Sequence, residues 1–318
     1  MRYAMKKYIL RSTLFLLIFA VLFLGFTHLM VPKTNTAEAG IHDPWAKGFL
    51  AEPENTIDVL VLGDSELYSC LVPLQIWEEH GITTYTCGTS DQKLYQTESY
   101  LSRFFETQSP KLVILETNVL YRDYSTTDRI PHAFEEFLPL LRYHDRWKNL
   151  TTEDLTQPIR FTGIQRDKGY LYLTDIQPAD PTGYMAYTDE IDPISSKNKE
   201  ALEKIYAFCQ EHGAQLLLLS SPSTANWDYL RHNAVQQLAW DMEIGYIDTN
   251  LMPNEIPIDW SLDTRDGGDH LNHDGATKLT LWVGNYLHDT GLFTDKRSDS
   301  AYAPWNEDLA NFQAEDIP

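Results

Sequence analysis

Short apolar runs that stop abruptly at polar residues, recurring at regular intervals, constrain this chain more than any other feature. The first, Ile57 to Leu62, ends at Gly63-Asp64-Ser65; the second, Thr83 to Cys87, stops at Gly88; the third, Pro110 to Leu115, stops at Glu116-Thr117-Asn118. Short runs of this kind, rich in apolar and β-branched residues, predict strands buried on both faces, as a parallel sheet requires. Residues 66–80 and 91–107 carry apolar positions at helical spacing. Strand, helix, strand, helix, strand is the rhythm of an α/β, doubly wound parallel sheet. It breaks over about 121–196, a stretch rich in aromatic and polar residues with Pro131, Pro158, Pro178, Pro181 and Pro193, which reads as an inserted irregular cap. It resumes with a helix near 197–212, ended by Gly213, a strand over Leu216–Leu219 closed by Ser220-Ser221-Pro222, a helix over 228–242, a strand over Ile244–Ile247 and a last helix over about 275–289. Residues 294–318 read as an acidic, irregular tail.

The N-terminus has a different character. Arg2, Lys6, Lys7 and Arg11 precede residues 12–31, about 20 residues without charge, which suffices to span a bilayer. The basic flank predicts a cytoplasmic N-terminus and an extracytoplasmic body. A cleavable signal peptide is the competing reading: Ala37-Glu38-Ala39 has a cleavage-site look, but it lies well beyond an apolar run that is long for such a signal. The segments expected are therefore a cytoplasmic tip and transmembrane anchor (1–31), a polar stalk (32–56), an α/β domain (57–293) and the tail (294–318). The formal net charge is −21, and residues 1–31 hold four bases and no acid, so the rest is more acidic still. Such a body repels phosphate backbones, which excludes a nucleic-acid partner. Three cysteines, Cys70, Cys87 and Cys209, are too few for a disulfide scaffold and lack zinc spacing. A Cys70–Cys87 bond and two buried thiols are both open, the thiols being the more ordinary reading.

In open α/β sheets ligands sit beyond the carboxyl ends of the strands, and Ser65 falls directly after the first strand, where a helix begins. There a hydroxyl is exposed and the helix N-terminus favours an oxyanion. The bland alternative is that Asp64 or Ser65 merely caps the helix. A nucleophilic serine needs a base. Among ten histidines His270 stands apart, on the loop Asp263-Thr264-Arg265-Asp266-Gly267-Gly268-Asp269-His270-Leu271-Asn272-His273-Asp274-Gly275, which returns to the same sheet edge. A carboxylate just before it can fix the imidazole tautomer. Turn chemistry with a helix cap is the bland reading of that loop. A cation site built from Asp263, Asp266, Asp269, Asp274, His270 and His273 is a second, although the spacing fits no calcium loop or zinc pattern. Gly88, after the second strand, offers an N–H with no side chain in the way, and Asn118, after the third, an amide donor; both suit an oxyanion hole, and both are also ordinary turn residues.

Gly63-Asp64-Ser65, Gly88, Asn118 and His270, in that order, resemble the four blocks of the SGNH (GDSL-like) hydrolases over roughly residues 57–290. The resemblance implies a flavodoxin-like SGNH sheet, with Ser65 as nucleophile, His270 as base, and the Ser65 N–H, Gly88 N–H and Asn118 as oxyanion hole. The anchor together with IDVLVLGDSE, LVILETN and DHLNHDGA is similar to the membrane-tethered group of bacterial envelopes, which resembles the alginate O-acetyltransferase proteins and the D-alanyl transfer protein of teichoic-acid synthesis. That similarity implies a cell-envelope glycan or teichoic-acid-like polymer as substrate and a membrane-bound O-acyltransferase as partner. Two blocks depart from the family pattern. Gly-x-Asn-Asp is Glu116-Thr117-Asn118-Val119, and the Asp of Asp-x-x-His is Gly267. Asp266, one residue further back, is therefore the expected orienting acid, with Asp269 or a backbone carbonyl as alternatives. In the insert and beyond, Tyr121, Arg122, His144, Arg146, Trp147 and Trp227 are candidate substrate-binding groups, able to stack on sugars or grip anions, or simply to pack the insert.

The expected activity is serine-dependent acyl-ester hydrolysis or O-acyl transfer, with no cofactor and no metal. The competing classes are a non-catalytic envelope protein that binds glycan or scaffolds a membrane acyltransferase, and a cation-dependent phosphodiesterase.

Overall fold

Five strands fall on the five predicted runs, the first three and the last starting one or two residues later than expected: β1 Val59–Gly63, β2 Thr84–Gly88, β3 Leu112–Glu116, β4 Gln215–Ser220 and β5 Gly245–Asp248. The computed structural model describes residues 2–125, 127–129, 138–148 and 150–315. Parts of the expected insert, at 126, 130–137 (with Pro131) and 149, lie outside the described residues, as do Met1 and the last three residues of the expected tail. The sheet is wholly parallel in the order β2-β1-β3-β4-β5. This is the doubly wound α/β fold, and the order reverses between β1 and β3, where such sheets open a crevice beyond their carboxyl ends. Register levels those ends: Gly63 lies opposite Gly88, and Leu62 opposite Leu115.

On one face Val59, Val61, Ile114, Leu217 and Leu219 pack against Leu67, Leu71, Ile76, Leu279, Val283 and Leu287. Those partners come from helices Ser65–Cys70, Pro73–His80 and His273–Asp289 and their links. Leu60 and Leu62 point to the opposite face by strand alternation and are equally buried. The single helix expected over 66–80 is broken at Leu71-Val72. Pro73 lacks an N–H and forces its predecessor extended, so Val72 sits at φ −102°, ψ 96° and gives its N–H to Thr280 Oγ1 at 2.9 Å.

The chain forms two compact units, residues 1–42 with 124–163, and residues 43–123 with 164–318. The insert expected over 121–196 is thus divided. Its second part lays an extended strap along the 260–273 loop: Leu173 O accepts from His273 N, Gln177 N–H donates to Thr264 O, and Ala179 N–H donates to Trp260 O. In the smaller unit, helix Arg2–Met30 is apolar and long enough to cross a membrane. Arg146 closes its end, with Nη1 donating to Met30 O at 2.8 Å and Nη2 to Asp154 at 2.6 Å.

Two expected surface segments instead belong to the larger unit. Residues 43–52, read as part of a polar stalk, fold onto the β2 edge: Trp45 Nε1 donates to Gly88 O, Tyr85 Oη to Trp45 O, and Phe49 is buried against Phe104. The tail read as irregular contains helix Ala303–Glu315. Trp305, Leu309 and Phe312 recur at helical spacing, a period masked by the surrounding polar residues. Trp305 is 2% exposed and packs on Trp77 at 5.5 Å between ring centroids. Below it the buried Lys168 ammonium bridges Glu52 and Asp308, each at 2.7 Å. Trp305→Ala is expected to cost about 3–5 kcal/mol, as for other buried large-to-small changes, read as a fall in the urea midpoint. A change under about 1 kcal/mol would mean that the C-terminal helix is not part of the cooperative fold.

Candidate active site

Ser65 is placed by the turn after β1. A Cβ at Gly63 would lie 2.8 Å from both Glu116 Cβ and Leu67 Cβ, so only glycine lets strand and helix meet so closely. Asp64 takes the capping role, with Oδ1 accepting from Glu66 N at 3.0 Å. The Ser65 hydroxyl is left for His270, whose Nε2 lies 2.8 Å from Oγ. On the far side of the ring Nδ1 lies 2.6 Å from Asp266 Oδ2, and Asp266 Oδ1 accepts from the His270 backbone N–H at 2.8 Å. A carboxylate facing Nδ1 fixes the proton there and leaves the Nε2 lone pair for the Ser65 hydroxyl.

Gly267 and Gly268, at φ +78° and +94°, make the left-handed turn that brings Asp266 back over the histidine from four residues away. This is how the loop works with Gly267 where the family pattern has its acid. Asp269, the alternative acid, has Oδ2 3.6 Å from Nδ1, and its Oδ1 accepts from Asn226 Nδ2. The cysteines are all free and buried.

Gly88 stands beside this turn: a Cβ there would be 2.8 Å from Asp64 O. Asn118 departs from its expected role. Its Nδ2 donates to Asp64 Oδ2 at 3.0 Å and to Glu66 Oε1 at 3.3 Å, while Oδ1 accepts from Arg231 Nη1 at 3.3 Å. Both amide hydrogens are directed at buried carboxylates, which need donors more than an unfilled oxyanion position does. Tyr68 lies one turn after Ser65 in the same helix and is buried, with its ring edge-on to Trp45. Burial lifts the Tyr68 phenol above its ordinary range and keeps it a donor.

Behind the serine lies a cluster that the sequence reading missed. Asp64, Glu66 and Glu116 are all buried, and Ser221 Oγ reaches Glu66 Oε2 at 3.0 Å and Glu116 Oε1 at 3.3 Å. Asn226 Nδ2 joins Glu66 Oε1, at 2.6 Å, to Asp269. Burial, then the Asp64 charge, pushes Glu116 up to about 8; burial, then Glu116 and Asp64, pushes Glu66 well above the carboxylate range. The one available signal was positional, since Ser221 and Asn226 follow β4 at the same sheet edge as Ser65.

The candidate substrate-binding residues are mostly engaged in the structure. Arg122 Nε lies 2.7 Å from Asp64 Oδ2. Tyr121 donates its hydroxyl to Asp192 O and has the Arg231 guanidinium over its ring at 4.3 Å. Trp227 is buried with Nε1 on Asp248 at 3.0 Å, so it presents no face to a sugar. His144, Arg146 and Trp147 belong to the smaller unit, where Arg146 is committed to Met30 and Asp154. The six residues of the alternative cation site do not all converge. Asp266, Asp269 and His270 present ligand atoms within 4.8 Å of one another, yet the first two already hold His270 and Asn226, and Asp263 pairs with Lys278.

Comparison with known proteins follows the same lines. No family model and no curated protein matches the chain. Similar solved structures include the psychrotrophic esterase EstA from Pseudoalteromonas (12% identity, covering 73% of this chain and 97% of that one, TM-score 0.39). A GDSL-like lipase from Bacteroides thetaiotaomicron matches at 14% identity, covering 80% and 95%, with TM-score 0.34. An acetyl-xylooligosaccharide esterase from Geobacillus matches at 11% identity, covering 76% and 97%, with TM-score 0.38. The chain resembles the SGNH (GDSL-like) hydrolases.

The pH dependence of stability tests the buried acids. Glu116 titrates near 8 in the fold against an ordinary 4.5. Folding therefore favours the protonated acid, and the stability it contributes is fully present below about pH 4.5 and falls as pH rises toward about 8. Glu116→Gln, which cannot ionise, is expected to make that decline shallower in urea titrations across the same range. An unchanged slope would place the titration elsewhere.

Proposed function

We propose that this chain is a membrane-anchored, extracytoplasmic serine acyl-transfer enzyme acting on ester-linked acyl groups of a cell-envelope polysaccharide or teichoic-acid-like polymer. The carrying observation is the continuous relay Ser65 Oγ, His270 Nε2, His270 Nδ1, Asp266, with contacts of 2.8 and 2.6 Å at the switch point of the sheet. Ser65 Oγ attacks the ester carbonyl carbon while His270 Nε2 takes the hydroxyl proton. The oxyanion is held by the Ser65 and Gly88 N–H groups, with Tyr68 rather than Asn118 supplying the side-chain donor. Collapse breaks the C–O bond, the departing alkoxide takes the proton from His270, and an acyl-Ser65 ester remains. Water or a sugar hydroxyl, deprotonated by His270, then releases the acyl group as acid or as a new ester.

The apolar N-terminal helix after a basic flank supports the extracytoplasmic address. A membrane O-acyltransferase partner and the transferase outcome rest on the family resemblance alone. The serine–histidine contact favours catalysis over the non-catalytic reading, which needs these groups apart.

Intact-mass analysis after exposure to p-nitrophenyl acetate is the direct test. One added acetyl group is expected, lost in Ser65→Ala and in His270→Ala. Asp266→Asn is expected to lower kcat by about 10²–10⁴, since the tautomer is no longer fixed. Asp269→Asn should leave the rate much closer to that of the unchanged chain. Tyr68→Phe is expected to lower kcat by about 10² with KM little changed. Absence of both adduct and turnover in the folded protein would overturn the acyl-enzyme mechanism.

A further inference from the structure

The smaller unit carries features that acyl transfer does not use. Crossing a hydrocarbon core of about 30 Å takes about 20 helical residues. The uncharged run, residues 12–31, is about that long, so the anchor has no length to spare. Its last two turns therefore lie at the depth of the distal leaflet. In those turns Phe23, Thr27 and Leu29 are partly covered and Met30 is buried. Helix Arg2–Met30 is touched by the short helices Pro139–Arg142 and Thr152–Thr156 and by the turn His144–Lys148. Arg146 ties that segment to the helix end through Met30 O and Leu29 O.

Segments packed at this depth should meet lipid, and their outward residues suit it. Leu141 is 48% exposed, Trp147 62%, Leu155 71% and Ile159 41%. Singly exposed apolar residues are ordinary on a water-facing surface, but Leu141, Trp147 and Leu155 lie on the segments that touch the anchor helix, and tryptophan favours the membrane interface. Charge agrees. Over residues 138–163, Arg142, Arg146, Lys148 and Arg160 outnumber Asp145, Glu153 and Asp154, in a chain with a net charge of −21. This part can approach anionic headgroups that would repel the acidic body.

We propose that residues 138–148 and 150–163 form a membrane foot, which inserts Leu141, Trp147, Leu155 and Ile159 into the interface of the distal leaflet beside the anchor. The occupant of this surface is lipid. The proposal rests on the anchor reading made above, and the test separates the two. Single spin labels would be placed at Leu155→Cys, Leu17→Cys and Glu203→Cys in the full chain, reconstituted in phosphatidylcholine–phosphatidylglycerol vesicles. Collisions with oxygen, which partitions into lipid, would be compared with those of a water-soluble nickel chelate. The native thiols are buried and do not compete for label.

Oxygen should dominate at Leu17 and, less steeply, at Leu155, and nickel at Glu203. Nickel dominance at Leu155 with oxygen dominance at Leu17 would overturn the foot and leave the anchor standing. Nickel dominance at Leu17 would overturn the anchor, and the foot with it. A chain lacking contact with lipid at Leu155 but protected from both reagents there would instead carry a protein neighbour on this face, which also overturns the proposal.

Discussion

The close approach of three strand ends governs this molecule. Gly63 and Gly88 sit opposite one another, and a side chain on either would collide with the Asp64 carbonyl or the Glu116 and Leu67 side chains. Because nothing fills that space, the helix after β1 starts immediately, its first residue points into the crevice, and a loop some 200 residues later can reach it, as the Ser65–His270 separation of 205 positions records. The parallel register carries the remaining strand ends to the same edge, so residues distant in sequence become neighbours without any long excursion of the chain.

That compactness has an electrostatic consequence. Packing Asp64, Glu66 and Glu116 behind Ser65 leaves three carboxyl groups with little water. Donors are drawn in from every side: Asn118, Arg122, Ser221 and Asn226 all turn toward the acids. The geometry of Asn118 follows from this demand, because buried carboxyl oxygens without donors are costly. The same network runs through Asn226 to Asp269, immediately before His270, so the buried acids and the histidine loop are physically connected.

How far these features were legible varies with their physical origin. Strands were readable because burial on both faces demands uninterrupted apolar residues, and Ser65, His270 and Asp266 because strand ends and a glycine-rich loop localise them. The break at Pro73 was written in the sequence as a local stereochemical rule. The roles of Glu66 and Glu116 were not legible: a carboxylate next to a strand end looks solvated until neighbouring strands are superposed on it. Trp227 and Tyr121 misled for the converse reason, since an aromatic residue carries the same letter whether it offers its face to a ligand or to Arg231. The C-terminal helix hid its three apolar residues among polar ones, and its partner Trp77 lies far away in the chain.

The ion pair at Lys168 binds the beginning, middle and end of the larger unit in one place, through Glu52 and Asp308. A buried ammonium without its carboxylates is strongly unfavourable. The final arrangement of the unit therefore needs residues near 308 in place. Those residues complete the larger unit: without them Lys168 would be left buried with Glu52 as its one remaining carboxylate partner.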